Sequence, residues 1–290
     1  MSQDLFATIK ENMPHFSKGH KRIAEYIIGH YDKAAYVTAA KLGATVGVSE
    51  STVVRFATEL GFEGYPELQR ALQEVMRNKL TSVQRIEATS DRIANDDVFG
   101  TVLNSDIEKI KKTLEESSRE EFQAAVDTII SAKRIYIIGA RSAAPLARFI
   151  AYYFNLMFDN ARFINTASTS ELFEQVMRIG EGDVMIGVSF PRYSTQTTKA
   201  FSFAASNGAD TIAITDSYSS PLAQSATHVL MAKSDMASFV DSLVAPMSLI
   251  NALIVAIGIK KREEISANFE RLEDIWDKYD VYEKHKDEEQ

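Results

Sequence analysis

Two segments in the second half of the chain carry the hydroxyl and guanidinium groups that bind anions in proteins. The first is Gly139-Ala140-Arg141-Ser142, and the second runs from Ser189 to Thr195 as SFPRYST. Hydroxyls and backbone amides at a helix N-terminus bind phosphate, and arginine can hold an oxyanion with two parallel hydrogen bonds. The predicted ligand-binding residues are Gly139, Arg141, Ser142, Ser189, Arg192, Tyr193, Ser194 and Thr195. The alternative is that Ser142 caps one helix, that Ser194 or Thr195 caps the other, and that Arg192 is solvated.

A different chemistry is indicated between Val46 and Phe62, VGVSESTVVRFATELGF. Small hydroxyl side chains and one arginine on a single helix face suit contacts with base edges and phosphates of duplex DNA. The predicted DNA-binding residues are Ser49, Ser51, Thr52 and Arg55, with Lys21 and Arg22 from a basic cluster upstream. The alternatives are two packed helices of an all-α domain and, for the basic cluster, a solvated helix face.

The elements that would position this polar face form a helix-turn-helix pattern. Residues 39–43 predict a first short helix, with Gly43 allowing close helix crossing, and Gly47 provides the turn. Ser49 stands where an N-cap belongs, and Gly61 where a helix ends. One apolar stripe is expected to face the core, formed by Val53, Phe56, Ala57 and Leu60.

The rest of the first 79 residues is also predicted to be helical. Residues 3–34 predict two helices separated by Pro14 and Gly19, and residues 67–80 predict a closing helix. Residues 81–104 are polar and weakly periodic, so they predict a linker. Residues 105–131 predict one amphipathic helix, with Ile107, Ile110 and Leu114 among its apolar positions.

From residue 134 onward the pattern is that of strands alternating with helices. Short apolar runs predict five strands, at 135–139, 161–164, 184–188, 211–214 and 228–231. Helices are predicted at 144–158, 170–179, 195–207, 221–226 and 238–259. This alternation predicts a parallel sheet covered on both faces, in which ligands bind beyond the carboxyl ends of the strands. Both anion loops follow predicted strands.

An isomerase acting on the ligand of these loops would need a positioned general base. Four of the five histidines lie in the first domain or the tail, and His228 stands at the start of a predicted strand, the wrong end for catalysis. Glu171, Asp216 and Asp241 are open as bases, although each also reads as a helix cap or surface charge. We therefore expect no catalysis, with an isomerase as the competing class.

The composition of the chain limits which of these interpretations are possible. A length of 290 residues predicts two domains, and 45% apolar with 25% charged residues is typical of a globular protein. The absence of cysteine excludes disulfides and thiolate sites, and no cofactor or metal site is predicted. Residues 1–79 hold ten Lys/Arg against nine Asp/Glu, whereas the whole chain has a net charge of −8. The opening residues lack a signal sequence and no apolar run could span a bilayer, so a cytoplasmic location is expected.

The chain resembles the RpiR/MurR family of bacterial transcription regulators. The resemblance is carried by VGVSESTVVRF and GFEGYPEL near the front, IYIIGARSA and GDVMIGVSFPRYS in the second half, and LEDIWDKYDVY near the end. It implies an all-α helix-turn-helix domain followed by an α/β doubly wound sugar isomerase (SIS) domain with a five-stranded parallel sheet. The expected boundaries are 1–79 for the DNA-binding domain, 80–104 for the linker and 105–285 for the SIS-like domain.

The resemblance also implies partners and a ligand. Operator DNA and a phosphorylated sugar are expected, in a homodimer or homotetramer controlling carbohydrate-metabolism genes, with no membrane partner. Ser142 and Ser189 match hydroxyls that hold the sugar phosphate in the family, and Ser194-Thr195 match downstream positions of the same loop. The chain departs from the family pattern Ser-x-Ser-Gly-x-Thr, because Pro191-Arg192-Tyr193 intervenes. This departure points to an acidic or otherwise altered sugar. With this ligand, the competing class of protein is a sugar-phosphate isomerase with an accessory helical domain.

Overall fold

The computed structural model describes residues 5–79, 81, 83–86, 97–234 and 240–283, without the side chains of residue 32 and residues 74–79. These residues form two compact units. The first comprises the described residues up to Ser105 together with 240–242, and the second those from Asp106 to Ser234 and from Leu243 onward.

Helices make up the first unit. They are α1 (Leu5–Asn12), α2 (Lys18–Gly29), α3 (Tyr31–Ala34), α4 (Ala39–Val46), α5 (Glu50–Glu59) and α6 (Tyr65–Lys79). A single apolar core joins them, to which α5 contributes Val53, Phe56 and Ala57 as predicted. Leu60 is half-buried at its edge. The Tyr65 hydroxyl donates a hydrogen bond to the Val37 carbonyl at 2.8 Å, which fixes the start of α6 against the core.

Two glycines determine the turn between α4 and α5. Gly47 has φ +72°, a conformation that most residues avoid. Gly43 is needed for space instead, because a Cβ at this position would lie 2.8 Å from the carbonyl oxygen of Val48. The prediction that Gly43 permits a close helix crossing is therefore confirmed.

The second unit is built on five parallel strands: β1 (Ile135–Gly139), β2 (Ala161–Ile164), β3 (Val184–Val188), β4 (Asp210–Thr215) and β5 (His228–Met231). Their order in the sheet is β2-β1-β3-β4-β5. The register pairs Gly139 of β1 with Val188 of β3, so these two strands end side by side.

Helices cover both faces of this sheet. They are α8 (Arg119–Ser131), α9 (Ala144–Met157), α10 (Thr169–Val176), α11 (Thr195–Ser206), α12 (Val244–Lys260) and α13 (Arg262–Lys278), preceded by α7 (Val98–Glu116), which includes the boundary between the units. Alternate residues of β1 enter opposite cores, since Ile137 packs with α9 and α12 residues and Tyr136 with α10 and α11 residues. The predicted fold class, a helical domain followed by a doubly wound α/β domain, is confirmed.

Several predicted helices differ from the structure. Gly19 lies inside α2, which begins after the N-cap Ser17. The single helix predicted over 105–131 is in fact two helices. The helical conformation is interrupted at Ser117-Ser118, and Ser118 caps α8. The helix predicted at 221–226 is a single 3-10 turn at 223–225.

The prediction for the C-terminal part was also incomplete. The helix predicted from Ser238 begins at Val244, since residues 240–243 are not helical and Ser238 lies outside the described residues. The separate helix α13 was not predicted. No described helix on its own has the length and apolar content of a membrane span; α12 and α13 reach them only as a pair, and they meet at a 99° bend.

Candidate functional sites

A cavity of about 600 Å³ opens at the carboxyl ends of β1, β2 and β3. Its lining residues come from the loops after these strands and from the start of α11: Ile138, Gly139, Ala140, Arg141, Ala144, Ile164, Asn165, Thr166, Ala167, Leu172, Arg192, Tyr193, Ser194, Thr195 and Gln196. We call this cavity the strand-end pocket. Six of the eight predicted ligand residues line it; Ser142 and Ser189 do not.

The sheet topology explains why a pocket forms here. The chain passes from β1 to β2 on one side and then to β3 on the other side of β1. The loops that follow β1 and β3 therefore leave the sheet in opposite directions, which opens a crevice between them. Ligands of doubly wound sheets bind at this switch point.

The loop after β1 turns sharply toward α9. A Cβ on Gly139 would lie 2.8 Å from Ala147 Cβ and 2.9 Å from the Ala143 carbonyl oxygen, so glycine serves here by its small size rather than by a positive φ. Arg141 has φ 58° and is exposed. Ser142 is exposed in the 3-10 turn 141–143 but lies outside the pocket lining, and α9 has no side-chain cap, so Ser142 does not cap it.

The loop after β3 is anchored by hydrogen bonds to β4 and to the residue that follows it. Ser189 is buried, and its backbone N–H donates to the Ile214 carbonyl at 3.1 Å. Arg192 has φ 59° and is exposed at the pocket. The Tyr193 hydroxyl donates to Asp216 Oδ1 at 2.8 Å, which fixes the loop to the end of β4. Ser194 caps α11, because its hydroxyl accepts the Thr197 N–H at 3.4 Å.

Sequence reasoning missed a third wall of the pocket. Asn165, Thr166 and Ala167 follow β2 and line the cavity opposite the loop after β3. Gln196 connects the two walls, since its side-chain amide donates to the Thr166 carbonyl at 2.7 Å. A signal was present: NTASTS directly follows a predicted strand. It was overlooked because the sequence does not tell that β2 lies beside β1.

The pocket wall contains two arginines and, among the described residues, no acidic or histidine side chain. Each of the four groups considered as a general base lies outside the pocket wall and has a partner elsewhere. His228 lies at the start of β5, between Thr128 and Glu121. Asp216 accepts from Tyr193, Glu171 accepts from the Thr166 hydroxyl, and Asp241 pairs with Arg85. Within the part of the chain described, no group of three or more His, Asp or Glu is placed to hold a metal ion.

In the first unit, the polar face of α5 forms a compact hydroxyl cluster. Ser49 caps the helix by accepting the Thr52 N–H at 3.3 Å, and its hydroxyl lies 2.9 Å from that of Ser51 and 2.8 Å from that of Thr52. Arg55 is exposed on the same helix, with its Nε donating to the Ser51 carbonyl at 3.3 Å. The arrangement presents hydroxyls and one guanidinium group to solvent.

The residues of the basic cluster at the start of α2 lie in different environments. Arg22 is exposed, and its Nη1 donates to the Gly47 carbonyl at 3.2 Å, so it also braces the helix-turn-helix. Lys21 is half-buried. His20, a further member of this cluster, is neither on a solvated face nor open to a phosphate, because its ring is buried against Phe56 and lies 2.6 Å from Glu59 Oε2.

Comparison with known proteins assigns both units. The helix-turn-helix domain of the rpiR family matches residues 3–79, and the SIS domain matches residues 128–256. The sugar isomerase domain of an RpiR transcription factor from Sphaerobacter thermophilus is 30% identical, with a TM-score of 0.57, over 60% of this chain and 96% of that one. The chain belongs to the RpiR family. The resemblance inferred from the sequence motifs is thereby confirmed.

Two further proteins are similar to this chain over nearly its full length. The HTH-type transcriptional regulator HexR of Escherichia coli is 22% identical over 280 residues, which is 93% of each chain. The structure of the Vibrio vulnificus NanR protein, complexed with ManNAc-6P, is 21% identical with a TM-score of 0.59 and covers 94% of this chain and 98% of that one. This RpiR-family chain is an HTH-type transcriptional regulator with a SIS domain.

Proposed function

We propose that the protein binds operator DNA through α5 and that a phosphorylated sugar in the strand-end pocket controls this binding. The target genes would be those of carbohydrate metabolism. The observation that carries the proposal is the pocket itself, in which two arginines and the N-terminus of α11 converge at the switch point of the sheet. The relative NanR, whose structure contains ManNAc-6P, supports the same ligand class.

The ligand would bind with its phosphate at the start of α11. Thr195 is the first residue of this helix, and Ser194 and Thr195 both line the pocket, so hydroxyls and backbone amides lie together there. Ser142 and Ser189 remain proposed ligand residues from the family resemblance. Their positions outside the pocket lining make a direct role depend on movement of the two loops.

On the DNA side, Ser49, Ser51, Thr52 and Arg55 would contact the duplex, with Lys21 and Arg22 toward the phosphates. Arg55 is the residue in this set that can hydrogen-bond a guanine edge with two donors. Glu50 and Glu59 lie on the same helix and would repel the DNA backbone. We therefore expect modest affinity for one domain and a strong dependence on salt.

Two or more copies would act together, which raises affinity by avidity. The helix α12 supplies a surface for this, because apolar side chains remain exposed along it: Val244 (40%), Val255 (58%) and Ile259 (71%). An apolar helix of this kind is normally covered on all sides. In a symmetric dimer, half-sites would be spaced by one DNA turn, roughly 34 Å, or a multiple of it.

The domain boundaries at 1–79, 80–104 and 105–285 are part of the proposal. The helix α7 begins at Val98, so its first residues fall within the proposed linker. Residues 80, 82 and 87–96 of the linker and 284–285 lie outside the described residues. We propose cytoplasmic action without a cofactor or catalytic turnover.

A thermal-shift screen of phosphorylated sugars, amino sugars and sugar acids tests the ligand class. A compound that binds only the native state stabilises it by about 2.7 kcal/mol at a concentration of 100 Kd. We expect at least one phosphorylated sugar to raise the unfolding temperature of the wild type, and Arg192→Gly to remove the shift. A screen in which only unphosphorylated compounds act would refute the proposal.

A further inference from the structure

The helix α5 exposes one large apolar side chain, that of Val54. Among the side chains that the structure describes between residues 5 and 73, Val54 is the only valine, leucine, isoleucine, methionine, phenylalanine or tyrosine that is exposed, at 38%. The other apolar residues in the middle of this helix, Val53, Phe56 and Ala57, are fully buried. Single exposed apolar residues are common on protein surfaces. Here the single one lies on the helix that is proposed to contact DNA.

The helix geometry places Val54 within the polar face of α5. Side chains three and four positions apart are neighbours on a helix surface, so Ser51 and Thr58 flank Val54. Arg55 follows it directly in the sequence, and all three of these residues are exposed. Val54 therefore belongs to the surface that carries the proposed DNA contacts, and this surface is not polar throughout.

The hydroxyl groups that flank Val54 already have partners within the same unit. The Ser51 hydroxyl lies 2.9 Å from that of Ser49, and the Thr58 hydroxyl donates to the Arg55 carbonyl at 2.9 Å. The two methyl groups of Val54 cannot form hydrogen bonds at all. A partner that covers this part of the surface must therefore offer an apolar group, because a polar group would lose its water without gaining a hydrogen bond.

Duplex DNA presents one methyl group in its major groove, at C5 of thymine, whereas the other groups that distinguish the base pairs there are hydrogen-bond donors and acceptors. We propose that Val54 contacts a thymine methyl group of the operator and so selects for thymine at one position of each half-site. This inference rests on the proposed function, because it requires α5 to lie in the major groove. It adds a specificity-determining residue to the polar side chains already assigned to DNA.

Deoxyuridine provides the test, because its base differs from thymine only by the absence of this methyl group. Duplexes that the full-length protein prefers are selected from a random pool, and each thymine of the best duplex is then replaced by deoxyuridine in turn. Affinities are measured by fluorescence anisotropy at constant salt. Burial of one methyl group corresponds to about fourfold in affinity. We therefore expect the wild type to bind about fourfold more weakly when the contacted thymine of one half-site is replaced.

Three variants assign this preference to a side chain. Val54→Ala removes both methyl groups and should bind the thymine and deoxyuridine duplexes equally, with the salt dependence of the wild type because no phosphate contact is lost. Val83→Ala is the matched control, since it truncates an exposed valine (63%) outside α5 and should keep the fourfold preference. Arg55→Ala should weaken the binding of both duplexes and also keep the preference. Unfolding curves check that each variant folds.

The outcomes separate the inference from the proposed function. If no duplex is preferred, or if Arg55→Ala binds as tightly as the wild type, the proposed role of α5 is wrong and the role of Val54 is wrong with it. If a duplex is selected and Arg55→Ala binds it weakly, yet no replacement of thymine by deoxyuridine lowers the affinity, only the assignment of Val54 is wrong. The same conclusion follows if Val54→Ala keeps the methyl preference as fully as Val83→Ala does.

Discussion

The hydroxyl of Tyr193 donates a hydrogen bond to Asp216 Oδ1 at 2.8 Å and so connects the loop after β3 with the end of β4. Tyr193 lines the strand-end pocket, whereas the Asp216 carboxylate lies in the buried part of the sheet edge. The bond therefore fixes the position of the loop that carries Arg192 and Ser194. Binding of the proposed ligand would depend on this loop being ordered.

Replacing Tyr193 by phenylalanine should weaken the binding of the effector without removing any charged group from the pocket. The variant loses a hydrogen bond to a carboxylate, which is worth about 1.5–3 kcal/mol, and part of this loss should appear in the affinity for a phosphorylated sugar. Tyr218→Phe, at an exposed tyrosine, is the control. Equal calorimetric affinities for both variants would show that the bond does not order the site.

Thr195→Val tests the hydroxyl at the start of α11. Valine keeps the shape of the side chain and removes its hydrogen bonding, so the affinity for a phosphorylated sugar should fall by about 0.5–1.5 kcal/mol. Thr169→Val is the matched control, because Thr169 is the first residue of α10, is exposed and does not line the pocket. An equal loss in both variants, measured by titration, would count against a phosphate at Thr195.

Arg55→Ala should weaken binding to a selected operator by about 1–3 kcal/mol while leaving the fold intact. The reason is that Arg55 is exposed beside the hydroxyl cluster of α5. Arg70→Ala removes an exposed arginine from α6 and serves as the control. Fluorescence anisotropy at moderate salt measures the change, and undiminished affinity of Arg55→Ala would contradict the role of α5.

Gly43→Ala should destabilise the helix-turn-helix by about 1–3 kcal/mol, because the added methyl group would overlap the Val48 carbonyl. Gly29→Ala is the comparison, since a Cβ there meets no atom within 4 Å. It should change stability by less than about 1 kcal/mol. Denaturant unfolding distinguishes the two, and a neutral Gly43→Ala would mean that α4 and α5 can separate at little cost.

The stability of the first unit should depend on alkaline pH through Tyr65. Burial, with a smaller contribution from Tyr26, raises the pKa of Tyr65 from 10.0 to about 12. The folded state therefore keeps this proton more tightly than the unfolded state, so the stabilisation is complete below pH 10 and is lost as pH rises toward 12. Urea titrations across this range should show a smaller decline for Tyr65→Phe than for the wild type. Identical declines would contradict the assignment.

The sequence was most informative where local chemistry decides the structure. The residues of β1 are apolar without interruption, as expected of a strand buried on both faces, and all are buried. Ser49 and Ser194 cap α5 and α11 because a hydroxyl before a helix has a specific local use. These features need no knowledge of distant contacts, which is why sequence patterns predict them well.

Features that depend on strand order or packing were not predicted. Asn165 and Thr166 reach the pocket only because β2 lies beside β1. His20 reads as one member of a basic cluster, yet the ring packs under Phe56. Ile107, Ile110 and Leu114, which are apolar positions of the helix predicted over 105–131, are exposed on α7. Periodicity shows that a helix has an apolar face but not what covers it.

The most direct test of the central claim is to measure whether a pocket ligand changes DNA binding. The full-length protein is used to select preferred duplexes from a random pool, and the affinity for the best duplex is measured with and without phosphorylated sugars. The account predicts selective DNA binding that at least one phosphorylated sugar changes about tenfold or more, and loss of this response in Arg192→Gly with DNA binding retained. A protein that shows no preference for any duplex, yet turns over a sugar phosphate, would contradict it.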